Sequence, residues 1–313
     1  MRVAAVDCGT NSIRLLVADL DPDAATLTDV DRRMAIVRLG QDVDRTRRLA
    51  PEALARTFAA CDDYAAAVRA TGAERLRFVA TSASRDVENR DEFVAGVRDR
   101  LGVDPEVVTG DEEAALSFTG ATRELVGSGL AEPFLVTDIG GGSTELVLGT
   151  PGAVPSAARS VDVGCVRMTE RHLHDDPPTA AQVAAARADV EAAVRLAAET
   201  VPLADACTLV GLAGSVTTVA AMALDLPAYD RDRIHHARIP SAAVHRVADR
   251  LLAMTRAERA ALPFMHPGRV DVIGAGALVL AVLMEHVPVD DVVVSEHDIL
   301  DGICWSLADG ATS

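Results

Sequence analysis

Lysine is absent from this chain of 313 residues; all 30 basic residues are arginines. A P-loop needs its lysine on the β- and γ-phosphates, so P-loop nucleotide chemistry is excluded. Lysine Schiff-base chemistry is excluded with it. Aromatics make up only 3% of the residues, so any core must rest on Ala, Val, Leu and Ile. The five cysteines (Cys8, Cys61, Cys165, Cys207, Cys304) are scattered with no CxxC pair. They read as reduced, mostly buried thiols of a cytoplasmic protein. No signal peptide is recognisable, because strand-like residues begin at Arg2. The most apolar window, Val270–Val287, carries Asp271, Glu285 and His286, and a buried helix is expected there rather than a membrane span. The net charge is −17 and no basic tract appears, which argues against nucleic acid as a partner. A polyanionic ligand would have to be met by a local cationic site or by metal ions.

What is present is a hydrophobic content of 49% over a length that suits two domains. The chain is organised around Leu135–Leu148, which reads LVTDIGGGSTELVL. Apolar runs on both sides predict two short strands, with Gly140, Gly141 and Gly142 as the turn. Glycines let a ligand touch backbone N–H groups, and successive N–H groups around a turn form a concave anion site. Ser143 and Thr144 add hydroxyls. Asp138 and Glu145 add the hard oxygens that magnesium takes.

One glycine turn is also an ordinary hairpin. The second copy changes the balance. Residues 6–17 read VDCGTNSIRLLV and residues 137–148 read TDIGGGSTELVL, an ungapped echo that pairs Asp7 with Asp138, Gly9 with Gly140 and Ser12 with Ser143. A repeated strand–turn–strand unit, with an acid before each turn, predicts two like domains that each bring one phosphate hairpin. In the first copy Asp7, Gly9, Thr10, Asn11 and Ser12 are the candidate phosphate contacts.

Strands and helices alternate along the rest of the chain, which predicts an α/β fold. Pro51 opens a helix and Gly72 closes it. Asn89 with Glu92 reads as a capping box for the helix 90–101, and Thr179 as the cap of a long Ala-rich helix from 180. Arg45, Arg47 and Arg48 lie in a polar loop, read as solvated or as a phosphate contact. Three further constellations carry chemistry. Thr81–Arg85 follows a strand, where α/β ligand sites gather; Arg85 either clamps phosphoryl oxygens or pairs with Asp86 or Glu88. Asp111, Glu112 and Glu113 open a helix, either as a response to its dipole or with one carboxylate as a general base for water. Gly211–Ser215 runs from strand to helix, so Gly214 and Ser215 are candidates for binding an anion at a helix N-terminus. The eight histidines show no zinc-type spacing.

Taken together, AAVDCGTNSIRLLV, ATSASRDVENRDEF, TGDEEAALSFTGA, VTDIGGGSTELVLG and VGLAGSVTTVAAM, in this order, resemble the exopolyphosphatase/guanosine pentaphosphate phosphohydrolase (Ppx/GppA) family over essentially the whole chain. The resemblance implies two ribonuclease-H-like domains of the actin-like ATPase superfamily with an active-site cleft between them. The expected division is 1–122 and 123–313, with the helix 298–310 packing back on the first domain. It further implies that Asp7 and Asn11 lie on the first phosphate loop and Asp138 with Gly140–Ser143 on the second. Arg85 matches the phosphate-contacting arginine, Glu113 the catalytic base, and Glu145 the metal and water shell. Asp7, Glu113, Asp138 and Glu145 are the expected metal ligands, for Mg2+ or Mn2+, with a monovalent ion such as K+ in addition. The implied substrates are inorganic polyphosphate, of shorter chains, or guanosine pentaphosphate, and a homodimer is common in such proteins. A non-catalytic sensor of the same ligands is the alternative of another class. One departure stands out: the terminal SEHDILDG places Asp301 where a positive contact is expected.

Overall fold

The computed structural model describes residues 1–24, 26–85 and 87–309. The chain divides into two units, Met1–Gly120 with Ile299–Ser313 and Ala121–Asp298; residues 310–313 lie outside the described residues. Strands β1 (Arg2–Cys8), β2 (Ser12–Asp21), β3 (Thr26–Ile36), β4 (Arg75–Ala80) and β5 (Glu106–Val107) form the first sheet, in the order β3-β2-β1-β4-β5. Strands β6 (Phe134–Ile139), β7 (Thr144–Gly149), β8 (Ala157–Val161), β9 (Thr208–Leu212), β10 (Arg238–Pro240) and β11 (Asp291–Val294) form the second, in the order β10-β11-β9-β6-β7-β8.

Read from the other end, the second sheet repeats the first. In each, three antiparallel strands made by consecutive hairpins are extended by two parallel strands. In the second sheet β10 then adds an antiparallel edge. The sequence echo is therefore a repeat of topology, and the α/β expectation holds with two ribonuclease-H-like sheets.

Strand β1 is apolar at every inward position because both faces are covered. Ala4 and Val6 belong to the cluster with Leu54, Cys61 and Phe93 of the helices Pro51–Thr71 and Arg90–Leu101. Val3 and Ala5 belong to the cluster with Leu116, Ile299 and Ile303 of the helices Gly110–Thr122 and Ile299–Asp309. The two-residue period of a strand separates the sets. In the second unit the apolar window forms the helix Ile273–His286, buried among its neighbours. No helix of the described residues is long and apolar enough to cross a membrane. Cys8, Cys61, Cys165 and Cys304 are buried free thiols, and Cys207 is exposed.

The cap expected at Thr179 is present: Thr179 and Gln182 form a reciprocal capping box. The one expected at Asn89 is not. Asn89 closes no side-chain cap; its Oδ1 accepts the Leu49 N–H (2.9 Å) and its Nδ2 donates to the Leu49 C=O (3.0 Å). A long-range backbone clasp has taken the side chain that local pattern assigned to the helix. The short helix Val43–Thr46, the one-turn helix Ser82–Arg85 and strand β10 were not legible, being too short to carry a period.

Asp301 is buried at 1% exposure and accepts from Arg32 Nη2 of β3 at 2.8 Å. The acid at this position holds the terminal helix to its own sheet. The next residue, Gly302, lies where a Cβ would come within 2.0 Å of the Leu116 carbonyl oxygen, so two helices meet there backbone to backbone.

In the second unit a polar cluster joins three segments that are distant in sequence. Glu124 Oε2 accepts from His235 Nε2 (3.3 Å) and lies 3.2 Å from His297 Nδ1. The His235 ring stacks on His236 at 3.7 Å. These ligand atoms lie within 4.8 Å of one another, as a metal would require. However, His235 Nδ1 accepts the Glu296 N–H (3.1 Å). The neutral ring then carries its proton on Nε2, towards Glu124, and a cation would have to displace it. The set reads as a hydrogen-bonded cluster, and its imidazoles hold the Glu124 carboxyl well below the usual carboxylate range.

Two outcomes are expected. Gly302→Ala should lower the unfolding free energy by about 1–3 kcal/mol, the usual range for overpacking, read by denaturant titration; wild-type stability would show that the helices separate without loss. A carboxyl with a lowered native pKa stabilises above its unfolded pKa, and the contribution is lost as pH falls. Glu124→Gln should therefore lower Tm at neutral pH, and the gap to wild type should close in acid. A gap that stays constant down to low pH would rule out the charge as its cause.

Candidate active site

Both glycine turns are closed by the same hydrogen bond. Gly9 N–H donates to Ser12 C=O at 2.9 Å, and Gly140 N–H to Ser143 C=O at 3.0 Å. The strand register is also the same: Asp7 is opposite Arg14, and Asp138 opposite Glu145. Directly opposite residues share a face of the sheet, so each acid meets its partner.

In the first unit that partner is a cation. Arg14 donates to Asp7 Oδ2 through Nη2 (2.7 Å) and Nε (3.0 Å), with Asp7 only 5% exposed. Thr10 Oγ1 lies 2.9 Å from Ser82 Oγ, and Thr81 N–H donates to Cys8 C=O. The carboxyl end of β4 is thereby tied to the turn that follows β1. Asn11 and Ser12 complete the turn, half-buried.

The one-turn helix Ser82–Arg85 delivers Arg85. Its Nε donates to Val108 C=O (2.9 Å) and its Nη2 to Glu113 Oε2. Glu88, one of the two acids expected to pair with Arg85, takes Arg48 instead at 3.2 Å; Asp86 lies outside the described residues. Arg45 and Arg48 are exposed and pair with loop acids, as a solvated loop would. Neighbouring residues of a helix point apart, and the two glutamates divide accordingly. Glu112 is exposed and bonds Arg77 (2.8 Å), while Glu113 is 7% exposed and bonds Arg85.

In the second unit both cross-strand partners are acids. Asp138 is 7% exposed and Glu145 is 1% exposed. Ser160 donates to Glu145 Oε1 at 2.7 Å. The turn carbonyls are covered by the start of the helix Cys165–His172: Cys165 N–H donates to Gly140 C=O (2.9 Å), and Val166 and Arg167 N–H to Gly141 C=O (2.9 and 3.1 Å). No backbone acceptor among the described residues takes the N–H of Gly141, Gly142 or Ser143. The turn thus presents a row of amides of the kind that binds an anion.

The hydroxyls of this unit have tertiary surroundings that pattern alone does not show. Thr144 Oγ1 donates to Val163 C=O at 2.6 Å. Ser215 is buried, and burial also pushes up the thiol of Cys165 nearby. Gly214 opens the helix Ala213–Ala223 together with Ala213, which has a φ of 64°. A Cβ on Gly214 would meet the Arg269 guanidinium at 2.2 Å. Arg269 therefore lies across that helix N-terminus and reaches Thr218 Oγ1 (3.3 Å). Arg14 and Arg269 were not singled out from the sequence. Arg14 could have been, since it occupies the position that Glu145 holds in the second copy.

The first unit thus gathers Asp7, Gly9–Ser12, Arg85 and Glu113 around the carboxyl ends of β1 and β4. The second gathers Asp138, Gly140–Glu145, Gly214 and Ser215 around those of β6 and β9.

The model of the Ppx/GppA phosphatase family matches residues 16–310. Exopolyphosphatase 2 of Mycobacterium tuberculosis is 54% identical over 318 aligned residues, covering 98% of each chain. A crystal structure described as an exopolyphosphatase-like protein is 43% identical, with a TM-score of 0.94 over 99% of this chain and 100% of that one. The Aquifex aeolicus Ppx/GppA family member is 28% identical, with a TM-score of 0.81 over 100% of this chain and 99% of its own. A match that begins at Leu16 and runs through both sheets, supported by a relative at this identity, leaves one conclusion: this chain is a member of the Ppx/GppA phosphatase family.

Proposed function

We propose that this protein is a phosphoanhydride hydrolase that releases terminal orthophosphate from inorganic polyphosphate. The observation that carries this reading is the pair Arg85–Glu113. A guanidinium and a buried carboxylate are in contact beside the turn Gly9–Ser12, and a phosphoryl group would compete with the carboxylate for the same cation. When the terminal phosphoryl takes Arg85, Glu113 loses its counterion and becomes the group that accepts a proton from water. A kinase or a passive sensor has no need of that exchange.

In the second unit the turn amides of Gly141–Ser143 offer donors to phosphoryl oxygens, and in the first unit Arg85 beside the loop Gly9–Ser12 offers a cation to offset their charge; donors and charge compensation are most of what phosphoryl transfer asks of a protein. Asp138 and Glu145 are the residues that fit a divalent cation. They are hard oxygen donors, opposite each other and both buried, and two carboxylates in that arrangement favour a cation between them. Asp7 and Glu113 each carry an arginine and are better read as partners of those cations than as metal ligands. Mg2+ or Mn2+, when bound, supplies further neutralisation of the phosphoryl oxygens.

Phosphate release from polyphosphate and from guanosine pentaphosphate, measured side by side with and without EDTA, tests the reading. Release from polyphosphate that EDTA abolishes is expected. Release from the pentaphosphate alone would move the substrate to the nucleotide, and release from neither would leave a binding protein. Glu113→Gln should reduce kcat by roughly 10²–10⁴-fold, the range for loss of a general base, with KM little changed. A variant with near-wild-type kcat would remove Glu113 from the mechanism. Asp138→Asn should raise the Mg2+ concentration needed for half-maximal rate; an unchanged metal titration would exclude Asp138 as a ligand.

A further inference from the structure

In the second unit the rung of the sheet that carries the two acids runs one strand further. Asp138 of β6 is opposite Glu145 of β7, and Glu145 is opposite Ser160 of β8. Residues directly opposite each other share a face, so the three side chains stand in one row. The first unit has the same row: Asp7 of β1, Arg14 of β2 and Met34 of β3. The third position thus changes with the second. Beside the arginine stands a thioether, which has no proton to donate; beside the glutamate stands a hydroxyl, which has one. Ser160 is half-buried on the edge strand of its sheet, and its Oγ donates to Glu145 Oε1 at 2.7 Å.

That bond acts on the softest torsion of the acid. The last torsion of a glutamate, between an sp³ and an sp² carbon, lacks sharp staggered wells. Position in the strand therefore does not by itself define the plane of the carboxylate. Glu145 is 1% exposed, so bulk water does not set that plane either. A separation of 2.7 Å falls in the short range of hydroxyl–carboxylate bonds, and it holds one oxygen in place. A carboxylate has about four lone-pair sites, so one donor on Oε1 does not exhaust its capacity for a cation. Mg2+ demands near-octahedral geometry of its ligands. A carboxylate held by a neighbour meets that demand better than one that turns, and groups that hold a metal ligand in this way strongly affect affinity for the metal.

We propose that Ser160 is a positioning residue: its hydroxyl orients the Glu145 carboxylate towards a divalent cation and so sets the affinity for that cation. This rests on the reading above of Asp138 and Glu145 as the cation's ligands. The set lies wholly within the second unit, as two carboxylates that bind and a hydroxyl that holds one of them. In the first unit the central residue of the row is itself a cation, bonded to Asp7. No carboxylate has to be aimed from that position, and a methionine stands where the serine would.

Binding of Mn2+ to the substrate-free protein tests this without turnover, through loss of the electron paramagnetic resonance signal of free Mn2+. The comparison is between wild type, Ser160→Ala, Ser160→Thr, Asp138→Asn and Ser156→Ala. Ser156 donates to the Leu148 carbonyl at 3.0 Å and controls for loss of a hydroxyl bond that touches no acid. Ser160→Ala should raise the Kd for Mn2+ about 10–100-fold, the usual effect of removing a group that holds a metal ligand. Ser160→Thr, which keeps the hydroxyl on a side chain suited to a strand, should recover most of the loss, and Ser156→Ala should bind as wild type does. The rise in Tm on adding Mn2+ should follow the same order, because a ligand of the folded state stabilises it more the tighter it binds. A merely structural hydroxyl would lower the Tm of the metal-free variant and leave the Kd alone. A wild-type Kd in Ser160→Ala, with Asp138→Asn weakened, overturns the proposal and leaves the two acids as ligands. Wild-type protein that binds no Mn2+, or binding that Asp138→Asn does not weaken, overturns the ligand reading and the proposal together. If Ser160→Ala does not fold, Ser160→Cys, with a weaker donor of similar size, takes its place under the same outcomes.

Discussion

The structure depends on what happens to the backbone at two tight turns. A buried carbonyl or amide without a partner is costly, so a turn at the edge of a sheet must place both kinds of group. Here the carbonyls of Thr10, Asn11, Gly140 and Gly141 are all capped by N–H groups of a following segment. The amides of Gly141, Gly142 and Ser143 are left with no backbone acceptor among the described residues. A surface that offers donors and hides acceptors selects anions. The rest of each unit supports this arrangement: the strand hairpins set the register, the caps hold the carbonyls, and glycines at 40 and 164 let the cap approach.

The two copies share this backbone and differ in charge. Opposite the first acid stands Arg14, and opposite the second stands Glu145. In the first hairpin the acid is neutralised by its own cross-strand arginine. In the second, two buried carboxylates stand opposite each other. One residue in each copy changes the charge of the hairpin while the strand register stays the same. The pair of half-buried Arg85 and buried Glu113 belongs to the same pattern, an acid of the first unit matched by an arginine.

Several features were legible from the sequence because they are local. Glycine turns, the ungapped echo, the apolar strands around it and the Thr179–Gln182 box all lie within a few residues of the groups they involve. Asn89 shows where that reasoning fails: its side chain had a helix start three residues away and bonded instead to the backbone of Leu49, forty residues back. Thr144 and Ser215 are read from position as candidates for phosphate, and position alone does not show the Val163 carbonyl that accepts from Thr144 or the burial of Ser215. The histidines lacked any metal-like spacing in the chain, and three segments distant in sequence nevertheless bring His235 and His297 onto Glu124.

By itself, the sequence determined that there are two like α/β units, that each carries an acid-tipped glycine turn, and that lysine chemistry plays no part; composition and short-range spacing are sufficient for all three. Which of Glu112 and Glu113 faces inward, which acid meets an arginine and which meets another acid, and which arginines stand beside the turns were decided only by the tertiary structure. Those properties depend on strand register, helix face and the caps that follow β3 and β8. These bring together residues as far apart as 85 and 113 or 167 and 141, and no spacing rule relates them before the sheets have formed.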